Sequence, residues 1–565
     1  MSDSPYYLGL NYIGHDASAS LVKNGQLVAS APEERFSRQK KDRSFPENAI
    51  EFCLSYEGIE LGDIDAITYY MDPEAHFRGR VVDHLGKYYP ESVPLFDSML
   101  ERAQKVNNVE DEIRSRLGFR GEIYFCTHHL AHIASSYYPS GFDSAAAISM
   151  DGLGEIASTV VAEVDEDGIS VLKEIEFPHS LGMLYNAVTH YLGFNGTTDA
   201  GKVMGLSSYG DPSRYIDDFR DIVRFTDNGG YEFDLEYFAY PFERSTWVSE
   251  RFVDRFGPMR EEGATITQRH EDVAAALQKR VEEAYFHLAE WVQQETGQDT
   301  LCLAGGVALN SVANGRLVKS GLFKDVYIPP TAGDDGTSVG GALYYHHCVE
   351  ENQNRGTLSP YMGPEYSDDE VQDALDKLNL NYHHSDDVFA ETAEYVANGN
   401  IVGWFQGRME MGPRALGNRS IIGDPRDPSV KDVINSSVKF REPFRPFAPS
   451  ILEDAVDEWF DHDDPSPYMI LVYDVLQENR EEIPGVTHVD GTGRLQTVSE
   501  TDNRRYYRLI EEFEKRTGVP IVVNTSFNIK GEPIVNTPMD AIRCFLGSGL
   551  DYLVMNEYVL DKQDL

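Results

Sequence analysis

The chain reads as an α/β protein of two domains, and three observations predict this. Short apolar runs alternate with longer amphipathic stretches over most of the 565 residues. One layout, strand, polar turn, strand, turn, occurs over residues 6–29 and again over 143–169, a weak internal repeat. A polar stretch rich in Gly, Pro, Asn and Ser, residues 351–369, then interrupts the apolar pattern and reads as a linker. It separates a domain over 1–350 from one over 370–565.

The elements follow in order. Within 6–29, apolar residues flank the tight turn Gly14-His15-Asp16, and Asn24-Gly25 marks a hairpin turn because both positions accept positive φ. Residues 48–56 and 131–138 have helical spacing. Residues 145–150 form an apolar strand ending at Asp151-Gly152, and 158–164 form the next. Residues 268–295 keep a long helical period. The strand 301–304 then meets Gly305-Gly306 and a new helix. The strand 326–328 meets Pro329-Pro330, then Gly333-Asp334-Asp335-Gly336 and a helix of small residues through Ala342. Two glycine turns at strand ends, added to the Gly14-His15-Asp16 turn, suggest a duplicated, actin-like nucleotide-binding architecture, since such turns let backbone N–H groups approach an anion. Ordinary tight α/β loops would use the same residues. After the linker the alternation resumes at Val388, and the acidic stretch 461–467, broken by proline, reads as a loop.

Charge narrows the functions. Lys and Arg number 49 against 94 Asp and Glu, a net −45, which repels nucleic acid and anionic membrane surfaces. No apolar run approaches the roughly 20 residues of a membrane span. The first residues have neither a basic nor an apolar region, so no secretory signal is expected. The five cysteines are scattered and form no C-x-x-C, which predicts reduced thiols and a cytoplasmic protein. Only 16 of the 49 basic residues are Lys, and with the acidic excess this reads as a protein of a salt-loaded cytoplasm.

Two constellations carry chemistry. In His128-His129-Leu130-Ala131-His132, the first and last histidines share one face of a helix and can share a metal; the same spacing also suits histidines that cap or pack a helix. Asp151 and Asp334, at strand-end turns, can complete a two-His, two-Asp set suited to a divalent metal such as iron or zinc. The second constellation is basic against an acidic background: Arg414 and Arg419 in 412–420, Lys439, Arg441 and Arg445 in 439–447, with Arg494, Ser526 and Asn528 further on. Guanidinium forks match phosphates and carboxylates; salt bridges to the many acids are the plainer use.

These segments, with Gly14 to Ser18, Glu33-Glu34-Arg35-Phe36, Gly201 to Leu206 and the string Arg445-Pro446-Phe447-Ala448-Pro449, resemble the carbamoyltransferases of nodulation-factor, cephamycin and tobramycin biosynthesis along nearly the whole chain. The resemblance implies an actin-like N-terminal domain similar to the tRNA threonylcarbamoyl-transfer protein and a YrdC-like C-terminal domain. It implies that the C-terminal domain makes carbamoyl-adenylate from carbamoyl phosphate and ATP with Mg2+, and that the N-terminal domain moves the carbamoyl group to a hydroxyl of a small molecule or glycan. Under it Lys439, Arg494 and Ser526 act in adenylate formation, with Arg414, Arg419 and Asn528 binding the anions. His15 is the base for the acceptor hydroxyl. Gly305, Gly306 and Asn310 bind nucleotide, and Lys202 lines a pocket. The metal on His128, His132, Asp151 and Asp334 is Fe2+, with Zn2+ also compatible with these ligands. A tRNA threonylcarbamoyl-transfer enzyme and an actin-like small-molecule kinase are the alternatives.

Overall fold

A computed structural model of the chain describes residues 4–564. Its contacts gather into two units, one formed by residues up to Ser30 with Arg43–Leu358, the other by Ala31–Asp42 with residues from Ser359 onward.

The first unit holds two five-stranded sheets. In one, β1 (Tyr6–Asn11), β2 (Ser18–Lys23) and β3 (Gln26–Pro32) run consecutively, and β4 (Ala66–Tyr69) and β5 (Glu122–Phe125) follow, in the order β3-β2-β1-β4-β5. Strand β1 is antiparallel to β2 and parallel to β4, and β4 is parallel to β5. In the other, β6 (Ala145–Met150), β7 (Ala157–Asp165) and β8 (Gly168–Glu176) are consecutive; a small ribbon, β9 (Val223–Phe225) with β10 (Tyr231–Phe233), intervenes before β11 (Thr300–Ala304) and β12 (Asp325–Tyr327). The order is β12-β11-β6-β7-β8, with β6 antiparallel to β7 and parallel to β11, and β11 parallel to β12. Position for position the two sheets have one topology, so the weak repeat in the sequence is a true duplication. Strands β1 and β6 are buried at every residue, as central strands covered on both faces must be.

Helix Thr337–Tyr344 binds the halves of this unit together. A Cβ on Gly340 would stand 1.7 Å from the Ala131 carbonyl oxygen, and one on Gly9 in β1 would stand 1.8 Å from that of Ser338. Small residues here are the condition for close approach. The helix opposite runs His128–Tyr137 and not from 131 as the spacing predicted. Its first turn forms earlier because the Glu155 carboxylate accepts the His128 N–H at 3.0 Å, satisfying a donor that helix starts leave open.

The second unit is one mixed nine-stranded sheet: β13 (His383–His384), β14 (Val402–Phe405), β15 (Arg419–Gly423), β16 (Ala448–Leu452), β17 (Leu471–Asp474), β18 (Thr492–Val498), β19 (Ile521–Ser526), β20 (Tyr552–Met555) and β21 (Tyr558–Asp561), ordered β13-β21-β20-β14-β15-β19-β16-β18-β17. Helix Arg504–Thr517 buries Tyr506, Leu509, Ile510 and Phe513, an i, i+3, i+4, i+7 stripe. The single cut expected within 351–369 is not the whole division. Residues Ala31–Asp42 belong here because Arg35 donates to the Gly412 carbonyl at 2.8 Å and Arg38 to those of Ile534 and Pro533. No helix among the described residues is long and apolar enough to cross a membrane.

Candidate metal centre and candidate anion site

In the first unit the duplicated sheets deliver four ligands to one point. His128 and His132 come from the first two turns of their helix, Asp151 directly follows β6, and Asp334 opens the short turn before Thr337–Tyr344. One ligand atom from each lies within 4.8 Å of all the others. His128 Nε2 is 2.8 Å from Asp151 Oδ2, and His132 Nε2 is 3.6 Å from both Asp151 Oδ2 and Asp334 Oδ1. His132 Nε2 and Asp334 Oδ1 are buried with no hydrogen-bond partner. Buried polar atoms that face each other unpaired are costly unless something sits between them, so this donor set fits a divalent cation. Against burial, which lowers it, the carboxylates of Asp151 and Asp334 push the His132 imidazole up to about 9, and the two histidines hold Asp151 well below the carboxylate range despite its own burial.

Residues that the motifs did not point to hold this geometry. Glu155 accepts the N–H groups of both His128 and Asp72. Asn11 donates to the carbonyls of His15, Asp16 and Asp334, tying the β1–β2 turn to the ligand turn. Each is one polar residue of a common type with no neighbouring motif, and only the β1–β2 turn hinted at Asn11. His15 stands beside the cluster, its Nδ1 2.9 Å from Asp16 Oδ2 and 3.5 Å from Asp334 Oδ2. Its side chain is 37% exposed, whereas His128 and His132 are buried.

The glycine turn after β11 serves the centre directly. Gly305 has φ +88°, and a Cβ there would meet the Met150 carbonyl oxygen at 2.1 Å. The Gly306 N–H donates to Asp151 Oδ1 at 3.2 Å. Asn310, expected at a nucleotide, caps helix Ser311–Lys319 through the Ala313 N–H and exchanges two hydrogen bonds with Gln278. Its amide is thus engaged within the fold. Lys202 pairs with Asp199 at 2.9 Å and lies over the Phe194 ring.

The second unit gathers the other predicted residues at the end of β19. Buried Lys439 donates through Nζ to the Ser526 carbonyl, to Ser526 Oγ at 3.1 Å, and to Asn528 Oδ1 at 2.7 Å and its carbonyl at 3.1 Å. Burial, then Arg441, hold its ammonium well below the usual lysine range. Burial also lowers Arg494 strongly, with Arg414, Arg441 and Arg445 adding to it, and Arg414 falls to about 10 by burial and Arg445. The Nε atoms of Arg414 and Arg494 are buried without partners. Among the described residues no carboxylate forms an ion pair with Arg414, Arg441 or Arg494; Arg441 donates to Asn435 Oδ1 at 2.7 Å. Cations facing one another in so acidic a chain form a site that wants an anion.

Arg419 departs from its expected role. It is wholly buried, donates to the carbonyls of Gln406, Gly407, Asn418 and Pro364, and lies over the Phe405 ring. It shapes the 412–420 loop from behind. Buried Glu410, which the sequence did not single out, does the same by accepting the N–H groups of Leu416, Asn418 and Arg419. Asn524 and Gln496 bind the carbonyls of Ala415 and Leu416.

Comparison with known proteins agrees along the length of the chain. The family described as Carbamoyltransferase N-terminus matches residues 6–343, and Carbamoyltransferase C-terminus matches 393–562. The chain is 40% identical to the uncharacterized protein sll1178 of Synechocystis, covering 99% of this chain and 97% of the other. It is 39% identical to nodulation protein NolNO of Sinorhizobium fredii, covering 98% and 80%. Among solved structures, HypF of T. kodakarensis aligns over 62% of this chain and 49% of its own at 16% identity, with a TM-score of 0.33.

Proposed function

The chain belongs to the carbamoyltransferase family, and from that premise we propose that it is an ATP-dependent O-carbamoyltransferase working in two steps. In the second unit, carbamoyl phosphate, ATP and one water give carbamoyl-adenylate, phosphate and pyrophosphate. In the first unit an acceptor hydroxyl attacks the carbamoyl carbon, the carbamate ester forms and AMP leaves. The observation that carries this reading is the cluster of Arg414, Arg441 and Arg494, none of them in an ion pair among the described residues, near Lys439, which is already held by Ser526 and Asn528.

Adenylate formation brings several phosphates together, and Arg414, Arg494 and Lys439 supply the opposing charge. Lys439 is costly to charge while buried; an arriving anion favours its ammonium form and is gripped by it. Ser526 orients the carbamoyl or phosphate oxygens. In the first unit His128, His132, Asp151 and Asp334 would hold a divalent cation, Fe2+ by family resemblance, which when bound supplies Lewis acidity toward the phosphate side of the adenylate. His15 takes the hydroxyl proton, and Asp16 at 2.9 Å stabilises the imidazolium that results.

The test needs no acceptor. Full-length protein is incubated with ATP and Mg2+, with and without carbamoyl phosphate, at low and at molar salt. Pyrophosphate release that depends on carbamoyl phosphate, together with carbamoyl-adenylate detected by mass, is the expected result. ADP as the only product would sink the reading and favour a kinase.

A further inference from the structure

Three basic side chains in the first unit serve neither site described above. His76 and Arg80 stand four residues apart, where helix Pro73–Phe77 runs into the wider turn Arg78–Asp83. Arg102 lies on helix Phe96–Asn107, which packs against both segments. His76 is buried and its Nδ1 has no partner. The Arg80 Nη1 is also buried and unpartnered, and the guanidinium lies 4.5 Å from the centre of the Phe177 ring. Among the described residues no carboxylate pairs with any of the three. Burial, Arg102 and Arg80 push His76 down to about 3, and burial with Arg102 lowers Arg80 to about 9, so the charges that act on each are positive. The chain has 94 acidic residues, yet none of those described forms an ion pair with buried His76, half-buried Arg80 or exposed Arg102.

The cluster borders the metal centre. A Cβ on Gly79, between His76 and Arg80, would stand 2.0 Å from Ile156 Cγ1 and 3.0 Å from the Glu155 carbonyl oxygen. Asp72, the cap of the Pro73–Phe77 helix, donates its N–H to Glu155 Oε1, the same oxygen that accepts from His128. The Tyr70 ring lies 5.6 Å from that of His128. The glycine turn expected at a nucleotide follows β11 in the other sheet, whereas these basic groups sit on the crossover from β4 to β5.

We propose that His76, Arg80 and Arg102 form an anion subsite for the acceptor, so that the alcohol carbamoylated here also carries a phosphate or a carboxylate. This rests on the carbamoyl-transfer reading for its chemistry but not for its first test. Inorganic phosphate is titrated calorimetrically into full-length Arg494→Ala protein, which weakens the anion site of the second unit, with and without Arg80→Gln and Arg102→Gln. Affinity is expected to fall at least about tenfold in the triple variant, since two charge-assisted hydrogen bonds are lost. Replacing the same two residues by Lys, which keeps the charge, is expected to retain affinity within about threefold. Equal affinity with and without the Gln substitutions, or equal loss in the Lys pair in folded protein, overturns the proposal. A second arm compares carbamoyl transfer to glucose, glucose 6-phosphate and glucuronate. Preference for the phosphate or the uronate names the anion, and preference for neutral glucose overturns the subsite. Failure of the transfer reading shows elsewhere, as missing pyrophosphate release by the unaltered protein.

Discussion

Lys439 and His132 sit in different units and are both buried, yet burial acts on them in opposite directions. Lys439 has neutral partners and neighbouring cations, so its ammonium is destabilised; His132 faces two carboxylates, so its imidazolium is favoured. The division of labour predicts complementary losses. Lys439→Ala should lower carbamoyl-phosphate-dependent pyrophosphate release by more than about 100-fold and leave metal content, measured by elemental analysis, unchanged. His132→Ala should reduce metal content to below about a tenth and leave pyrophosphate release intact. A folded variant that loses both properties would contradict the two-site scheme. The convergence of His128, His132, Asp151 and Asp334 was legible in the sequence because H-x-x-x-H is a spacing and the two aspartates lie at strand-end turns. Glu155 and Glu410 were not, because each acts through backbone N–H groups that only the folded chain brings to it.

At the scale of elements, close contact through Gly340 sets the position of the helix that carries His128 and His132. Two effects of Gly340→Ala oppose each other. Alanine improves helix propensity by about 1 kcal/mol. The added Cβ would lie 1.7 Å from the Ala131 carbonyl oxygen, and backbone must move to admit it. Overpacking of this kind costs about 1–3 kcal/mol, and here the obstacle is backbone, which yields poorly. The clash should win. Thermal melting is expected to drop by roughly 1–3 °C, and metal content should fall with it because His128–Tyr137 is displaced from the Asp334 turn. A melting temperature equal to or above the unaltered protein's would show that the helices separate freely. The strands of both meanders were readable from alternation and turn residues up to the second strand of each. Strand β8 escaped notice because half of its residues face outward and break the apolar run.

For the whole molecule, the acid limb of stability follows from its histidines. His76 is pushed down to about 3, and His84, His270 and His347 to about 4, burial being the first cause in each. The folded values lie below the unfolded 6.5, so the unfolded chain binds more protons between them. The neutral-histidine contribution is therefore complete above about pH 6.5 and is lost as pH falls toward 4. A shift from 6.5 to about 4 corresponds to about 3 kcal/mol for one such group. Melting followed from pH 7.5 to 4 should show a steep decline below 6.5, with proton uptake on unfolding. A flat profile to pH 4.5 would mean these rings are solvated or already paired. The two-domain plan and the duplication were legible in composition and repeat, but the assignment of Ala31–Asp42 was not, since Arg35 and Arg38 look like any surface arginines until their carbonyl partners are known.

That assignment also bears on how the chain is made. Residues 31–42 leave the ribosome before any strand of the nine-stranded sheet, and the rest of the second unit begins only at Ser359. At cellular elongation rates the wait is on the order of tens of seconds. Throughout it, Arg35, which ends buried, has no Gly412 carbonyl to bind. The second unit cannot close vectorially as its own residues emerge, because one piece of it has been in the nascent chain since the start. A fragment expressed from Ser359 onward would lack that piece altogether, and supplying 31–42 as a synthetic peptide in trans would be the way to complete it.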